Sequence, residues 1–150
     1  MKYYVYTDGA YSIPTHIAAY AYFIRTEKLF VGIGRGTVHT DGIALAEAKA
    51  VGEAAEYMIS DVALQPSDIC VIKTDSQYVF QNFNTALKYG QEAIKFHNDV
   101  LINAINSVKK LSEVCTVSLS KVNSHNKEKN GNSYVDRLAK YQLALSKMKE

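Results

Sequence analysis

The sequence predicts a single α/β domain over residues 1–150: a five-stranded mixed sheet flanked by helices. Three observations predict it. Short runs rich in β-branched and aromatic residues recur along the chain, longer segments repeat their apolar residues every three to four positions, and the two kinds alternate. Their order is three strands, a helix, a strand, helices, a strand and a helix. This lets the first and fourth strands lie side by side and parallel. With 150 residues and 47% hydrophobic composition, the chain can bury one sizeable core.

The first run, Tyr3 to Ala10, reads as a strand that halts at Asp8-Gly9. It has tyrosine or valine on both faces, as in a strand covered on both sides, so Asp8 is expected at the C-terminal rim of a central strand. A plain Asp-Gly turn is the alternative. Two further runs, Ile17 to Arg25 and Leu29 to Val38, are joined by Thr26 to Lys28 and read as an antiparallel hairpin. The glycines Gly32, Gly34 and Gly36 have no helix start behind them, which speaks for close packing in a strand and against a phosphate loop.

An alanine-rich helix is expected from about Gly42 to Ser60. Lys49, Gly52, Glu53, Glu56 and Ser60 share its solvated side. Glu47 projects from nearly the opposite side, in line with Ala44, Ala48, Val51, Ala55 and Met58. A carboxylate buried there needs a cation, a hydrogen-bond partner or a raised pKa.

After a loop from Asp61 to Ser67, Ile69 to Lys73 reads as a buried strand, and the period turns helical at Asp75 and Ser76, either of which can serve as N-cap. Asn84 to Gly90 reads as a connector. A longer helix then runs to about Leu111, with Ile94, Leu101, Ile105 and Val108 as its core stripe and His97 packed beside it. Val114 to Val122 gives the fifth strand, and a polar loop carrying His125 leads to a last helix from Ser133 to about Lys147. Ser133 and Asp136 there fit a capping box.

Cys70 and Cys115 lie singly inside apolar runs, so both are expected as reduced core residues, neither ligands nor a disulfide. The longest apolar run, Ile17 to Ile24, is far shorter than a membrane span, and no secretory leader opens the sequence, so a soluble cytoplasmic protein is expected. The net charge is only +2 but unevenly spread. Residues 41–68 carry six acids and one lysine, and residues 121–150 carry seven lysines or arginines against three acids, so the basic end can face a phosphate backbone.

Placed on this topology, Asp8, Glu47, Asp75 and Asp136 converge on one rim. Four crowded carboxylates repel and take up protons unless cations compensate, and an all-oxygen ligand set points to magnesium or manganese rather than zinc.

YTDGA with Asp8, AEAKA with Glu47, TDSQYV with Asp75 and GNSYVDRLAK with Asp136 resemble the four signature segments of type 1 ribonuclease H. The resemblance implies the sheet order 3-2-1-4-5 and two-metal hydrolysis of the RNA strand of an RNA–DNA hybrid, with two Mg2+ ions for which Mn2+ can substitute. It implies that Asp8 and Asp75 hold the inner metal positions. Glu47 would hold one metal near the 2′-hydroxyl, Asp136 would complete the other site, and His125 would exchange protons and help product leave. Asn132 would orient groups near the nucleophile, with Gln77 and the backbone of Gly9 as further substrate contacts.

Two family features that touch the hybrid are replaced here by SIPTHIAAY and VHTDGIALAE. The tryptophan-bearing basic protrusion is missing as well: there is no tryptophan, and residues 81–98 hold only Lys88 and Lys95. Weak hybrid binding or a delivery partner follows; otherwise a monomer is expected. Two other readings are a DNA nuclease of resolvase or transposase type on the same fold, and a non-catalytic nucleic-acid-binding domain. The second has no use for crowded carboxylates beside a phosphate.

Overall fold

The computed structural model describes residues 1–40, 42–95, 98–122 and 131–148. Five strands form one sheet: β1 (Lys2–Ser12), β2 (Ile17–Arg25), β3 (Phe30–His39), β4 (Ile69–Thr74) and β5 (Thr116–Lys121). Their order is β3-β2-β1-β4-β5, with β1–β2 and β2–β3 antiparallel and β1–β4 and β4–β5 parallel, so the mixed sheet expected from the sequence is the sheet observed. The helices are α1 (Ile43–Asp61), α2 (Gln77–Tyr89), α3 (Asp99–Val114) and α4 (Gly131–Met148), with a 3₁₀ turn at Gln91–Ala93.

The two faces of the sheet carry different cores. On one face Val5, Ile24 and Ile72 meet Met58 of α1, Phe83 of α2 and Leu101 of α3. On the other, Tyr6, Ala19 and Ala21 take Val135, Ala139 and Leu143 of α4. Small residues on β2 and α4 let this helix lie close to the sheet. Gly131 is the closest approach, since a Cβ there would sit 2.2 Å from the Tyr6 ring. Cys70 and Cys115 are free and buried, their sulfurs 3.6 Å apart, as expected of core thiols. Burial pushes both thiols up from their ordinary pKa.

Several boundaries differ from the sequence reading, each for a physical reason. Strand β1 does not stop at Asp8-Gly9 but runs on to Ser12, because β2 continues to pair with it as far as Ser12↔Ile17. Residues 84–89 are helical rather than a connector. Helix α2 carries Phe83 and Ala86 into the core and ends only at Gly90, whose φ of 94° breaks the helix while its N–H closes on Ala86. Ile94 precedes α3 instead of joining its stripe, because Asn98 caps that helix by accepting from the Val100 N–H at 2.8 Å. Gly52 is buried, not solvated: α1 packs on α3 there, with room for no Cβ beside Ala104. Ser133 lies inside α4, so the capping box with Asp136 does not form. Gly32, Gly34 and Gly36 do stand in a strand, under the rings of Tyr57, Tyr22 and Tyr20. His97 lies outside the described residues.

Candidate metal centre at the strand switch point

The parallel pairing of β1 with β4 ends at Tyr6↔Lys73. Beyond that pair the neighbouring strands are no longer laddered to each other, and each places an aspartate next to the opening: Asp8 on β1 and Asp75 just after β4. This is also where the strand order reverses direction, the position at which open α/β sheets form a crevice at the C-terminal ends of strands. Thr7 holds the mouth together by donating its hydroxyl to the Lys73 carbonyl at 3.0 Å.

Asp75 sits in a tightly determined turn. Thr74 Oγ1 accepts from the Ser76 N–H at 3.1 Å, and Ser76 Oγ accepts from the Val79 N–H at 3.2 Å, which makes Ser76 the N-cap of α2. With that capping role filled, Asp75 is not required to cap the helix. Asp8 accepts from the Gly9 N–H at 2.9 Å, which orients its carboxylate, and it is only 5% exposed.

Glu47 reaches the same place because Gly9 has no side chain. A Cβ at Gly9 would come within 2.9 Å of both Ala46 Cβ and the Glu47 backbone nitrogen, so α1 crosses β1 at the residue following Asp8. One carboxylate oxygen each from Asp8, Glu47 and Asp75 can be chosen so that all lie within 4.8 Å of one another. Glu47 is 9% exposed, and the two carboxylates beside it add to the cost of holding it there unless a cation compensates. Three carboxylates so close, on three different elements, suit a hard divalent cation with oxygen ligands.

The fourth acid stands differently. Asp136 is one turn into α4 and lies outside the three-carboxylate group; its Oδ2 accepts from Lys140 Nζ at 3.1 Å, an ion pair across one helical turn. Asn132, one turn earlier on α4, is buried. Gln77 is the first residue of α2 and is exposed. His125 lies outside the described residues. Sequence reading missed Thr7, Thr74 and Lys140. The only sign of the threonines is that each aspartate is preceded by one, in TDG and TDS. The Asp136-to-Lys140 spacing was legible as a helical ion pair.

The profile of the RNase H family matches residues 1–144. The chain belongs to the RNase H family. This family comprises nucleases that act on RNA–DNA hybrids and generally use divalent metals, and the acid cluster is compatible with that use. Solved RNase H structures share the fold. RNase H1 of the archaeon Halobacterium salinarum superposes with a TM-score of 0.70 at 20% identity, covering 96% of this chain and 98% of that one. The N-terminal RNase H domain of a Mycobacterium tuberculosis protein, solved as a fusion with maltose-binding protein, gives 0.73 at 14% identity, covering 99% and 97%. The prototype foamy virus protease–reverse transcriptase matches with 0.68 at 20% identity, covering 93% of this chain and 20% of the viral one. No curated protein matches by sequence.

Proposed function

We propose that this chain is a divalent-metal-dependent endoribonuclease that hydrolyses the RNA strand of RNA–DNA hybrids. The observation that carries the reading is the meeting of Asp8, Glu47 and Asp75 oxygens within 4.8 Å at the strand switch point. A domain that only bound nucleic acid would lose affinity by presenting three carboxylates to a phosphate. Asp8, Glu47 and Asp75, with Asp136 at the edge, would hold the cations, Mg2+ or in its place Mn2+. When bound, such a pair of ions lowers the pKa of the attacking water and neutralises charge on the leaving 3′ oxygen.

The protein's own share is placement. Gly9 and Gln77 position the scissile strand, Asn132 orients groups near the attacking water, and Glu47 stands toward the 2′-hydroxyl, which separates RNA from DNA. Lys140 holds the Asp136 carboxylate until substrate arrives. His125 takes up and releases a proton near neutral pH as product leaves. In the reaction, the water oxygen bonds to phosphorus while the bond from phosphorus to the 3′ oxygen breaks, leaving a 5′-phosphate and a 3′-hydroxyl. The residues act as one domain, and no described helix is long and apolar enough to cross a membrane.

The test is a strand-labelled RNA–DNA hybrid beside duplex DNA and duplex RNA, each with Mg2+ and with chelator. Cutting of the RNA strand of the hybrid alone, abolished by chelator, is expected. Cutting of duplex DNA in preference to the hybrid would move the assignment to a DNA nuclease on this fold.

A further inference from the structure

Away from the carboxylates, the α4 side of the sheet gathers positive charge that the acid site does not use. Lys2 Nζ, Arg25 Cζ and Lys73 Nζ lie 5.4, 4.7 and 5.8 Å from the centre of the Tyr4 ring. Arg25 and Lys73 also stand 5.4 and 5.9 Å from the Tyr6 ring, and Arg25 donates to the Tyr6 hydroxyl at 2.7 Å. Three cations from three adjacent strands are thus held on two rings. None of the three forms an ion pair with a described carboxylate. Glu27 lines the depression of about 320 Å³ beside Lys2 and Tyr4 but pairs with none of them. The rings attract the cations but carry no net charge, so no described group balances their mutual repulsion.

Next to these cations the surface is aromatic. Phe30 is 64% exposed and packs edge-on against Phe23 at 5.9 Å, and Phe23 in turn takes the ring of the half-exposed Tyr134 at 5.1 Å. Cations unmatched by acids beside exposed rings are what a single-stranded nucleic acid requires: phosphates on the cations, unpaired bases on the rings. A duplex keeps its base faces stacked and has no use for the rings. An acidic protein segment answers the charge alone.

We propose that this face, centred on Lys2, Tyr4, Arg25 and Lys73 and extending to Phe30, is a second nucleic-acid site that binds single strands. Its centre lies away from the catalytic rim, since Tyr4 precedes Asp8 by four strand residues, about 13 Å, and Lys73 is its member nearest that rim, two residues before Asp75. Binding there requires no divalent cation and stands independently of the cleavage reading.

The experiment measures anisotropy of labelled oligothymidylate and oligouridylate, about 12 nucleotides long, with the full chain in chelator over a series of salt concentrations. The two oligomers distinguish DNA from RNA as the source of the strand. The intact protein is expected to bind at least one of them. Lys2→Glu with Lys73→Glu should weaken that binding about tenfold or more and flatten the log–log salt slope by about 1.4, the share of two phosphate contacts on a single strand. Phe30→Ala should weaken it severalfold without changing the slope. Lys2 is exposed and Lys73 half-buried, and an unchanged thermal midpoint shows that the double variant is folded. Equal binding by the folded double variant overturns the proposal, as does polyglutamate displacing the oligonucleotide at equal charge concentration, which marks the face as a surface for acidic proteins.

Discussion

Among single residues, Gly9 decides whether the acids can meet. Gly9→Ala would press a methyl group against Ala46 Cβ and the Glu47 backbone at 2.9 Å, and a helix backbone cannot step aside as a side-chain end can. The expected cost is about 1–3 kcal/mol of stability, read by denaturant unfolding, with hybrid cleavage falling further than the stability loss accounts for because Glu47 is displaced. Glu47 was legible in the sequence because an acid on an apolar helix face conflicts with its surroundings, whereas Asp8 and Asp75, each readable alone as a turn or cap residue, became legible once the strand order brought them to one rim. Gly9 as a packing slot was not, since nothing local says which helix will cross it.

Asp68 carries the clearest pH dependence. The Gln65 N–H, donated at 2.8 Å, and then the Met1 amino group at 2.9 Å hold its carboxyl below the ordinary carboxylate range. The folded value lies below the unfolded one, so the stabilisation is complete above the unfolded pKa of about 3.9 and is lost as pH falls through the folded value. Asp68→Asn is expected to be less stable than the parent protein at neutral pH, with the gap closing below about pH 4. Unfolding curves at several pH values check this.

At the scale of elements, the turn from β4 into α2 delivers Asp75, and its geometry rests on the Ser76 cap. Ser76→Ala should cost about 1 kcal/mol and lower cleavage by loosening the turn, while Ser76→Thr, which keeps the hydroxyl, should retain most of both. The element order, the hairpin and the strand carrying each aspartate could be read from periodicity. The continuation of α2 to Tyr89 could not, because Asn82, Asn84 and Thr85 are weak helix formers and that turn is held by the burial of Phe83 and Ala86 and by the Gly90 N–H closing on Ala86. The burial of Gly52 was hidden for a similar reason: its neighbours Lys49, Glu53 and Glu56 mark a solvated face, and α3 covers part of it only in the folded chain.

For the whole molecule, the acid cluster is a source of repulsion that cations relieve. Mg2+ should therefore raise the unfolding free energy, by about 1.4 kcal/mol at ten times its dissociation constant. Asp75→Asn should lose most of the Mg2+ gain. Equal Mg2+ gains in both proteins would place the bound ion elsewhere. The fold as a whole was legible because local pattern and global topology agree along the chain. The distances within the site were not, because three acids from β1, α1 and the turn after β4 meet only once the sheet is assembled.

The role of the acid cluster in cleavage is tested by comparing hybrid cleavage in Mg2+ by the intact chain and by Asp75→Asn, which keeps the side chain's shape and removes its charge. RNA-strand cleavage by the intact chain is expected, with a loss of at least about a hundredfold, roughly 2.7 kcal/mol of barrier, in the folded variant. Cleavage by Asp75→Asn at the parent rate would contradict that role, because the carboxylate at the centre of the cluster would then have no part in the reaction.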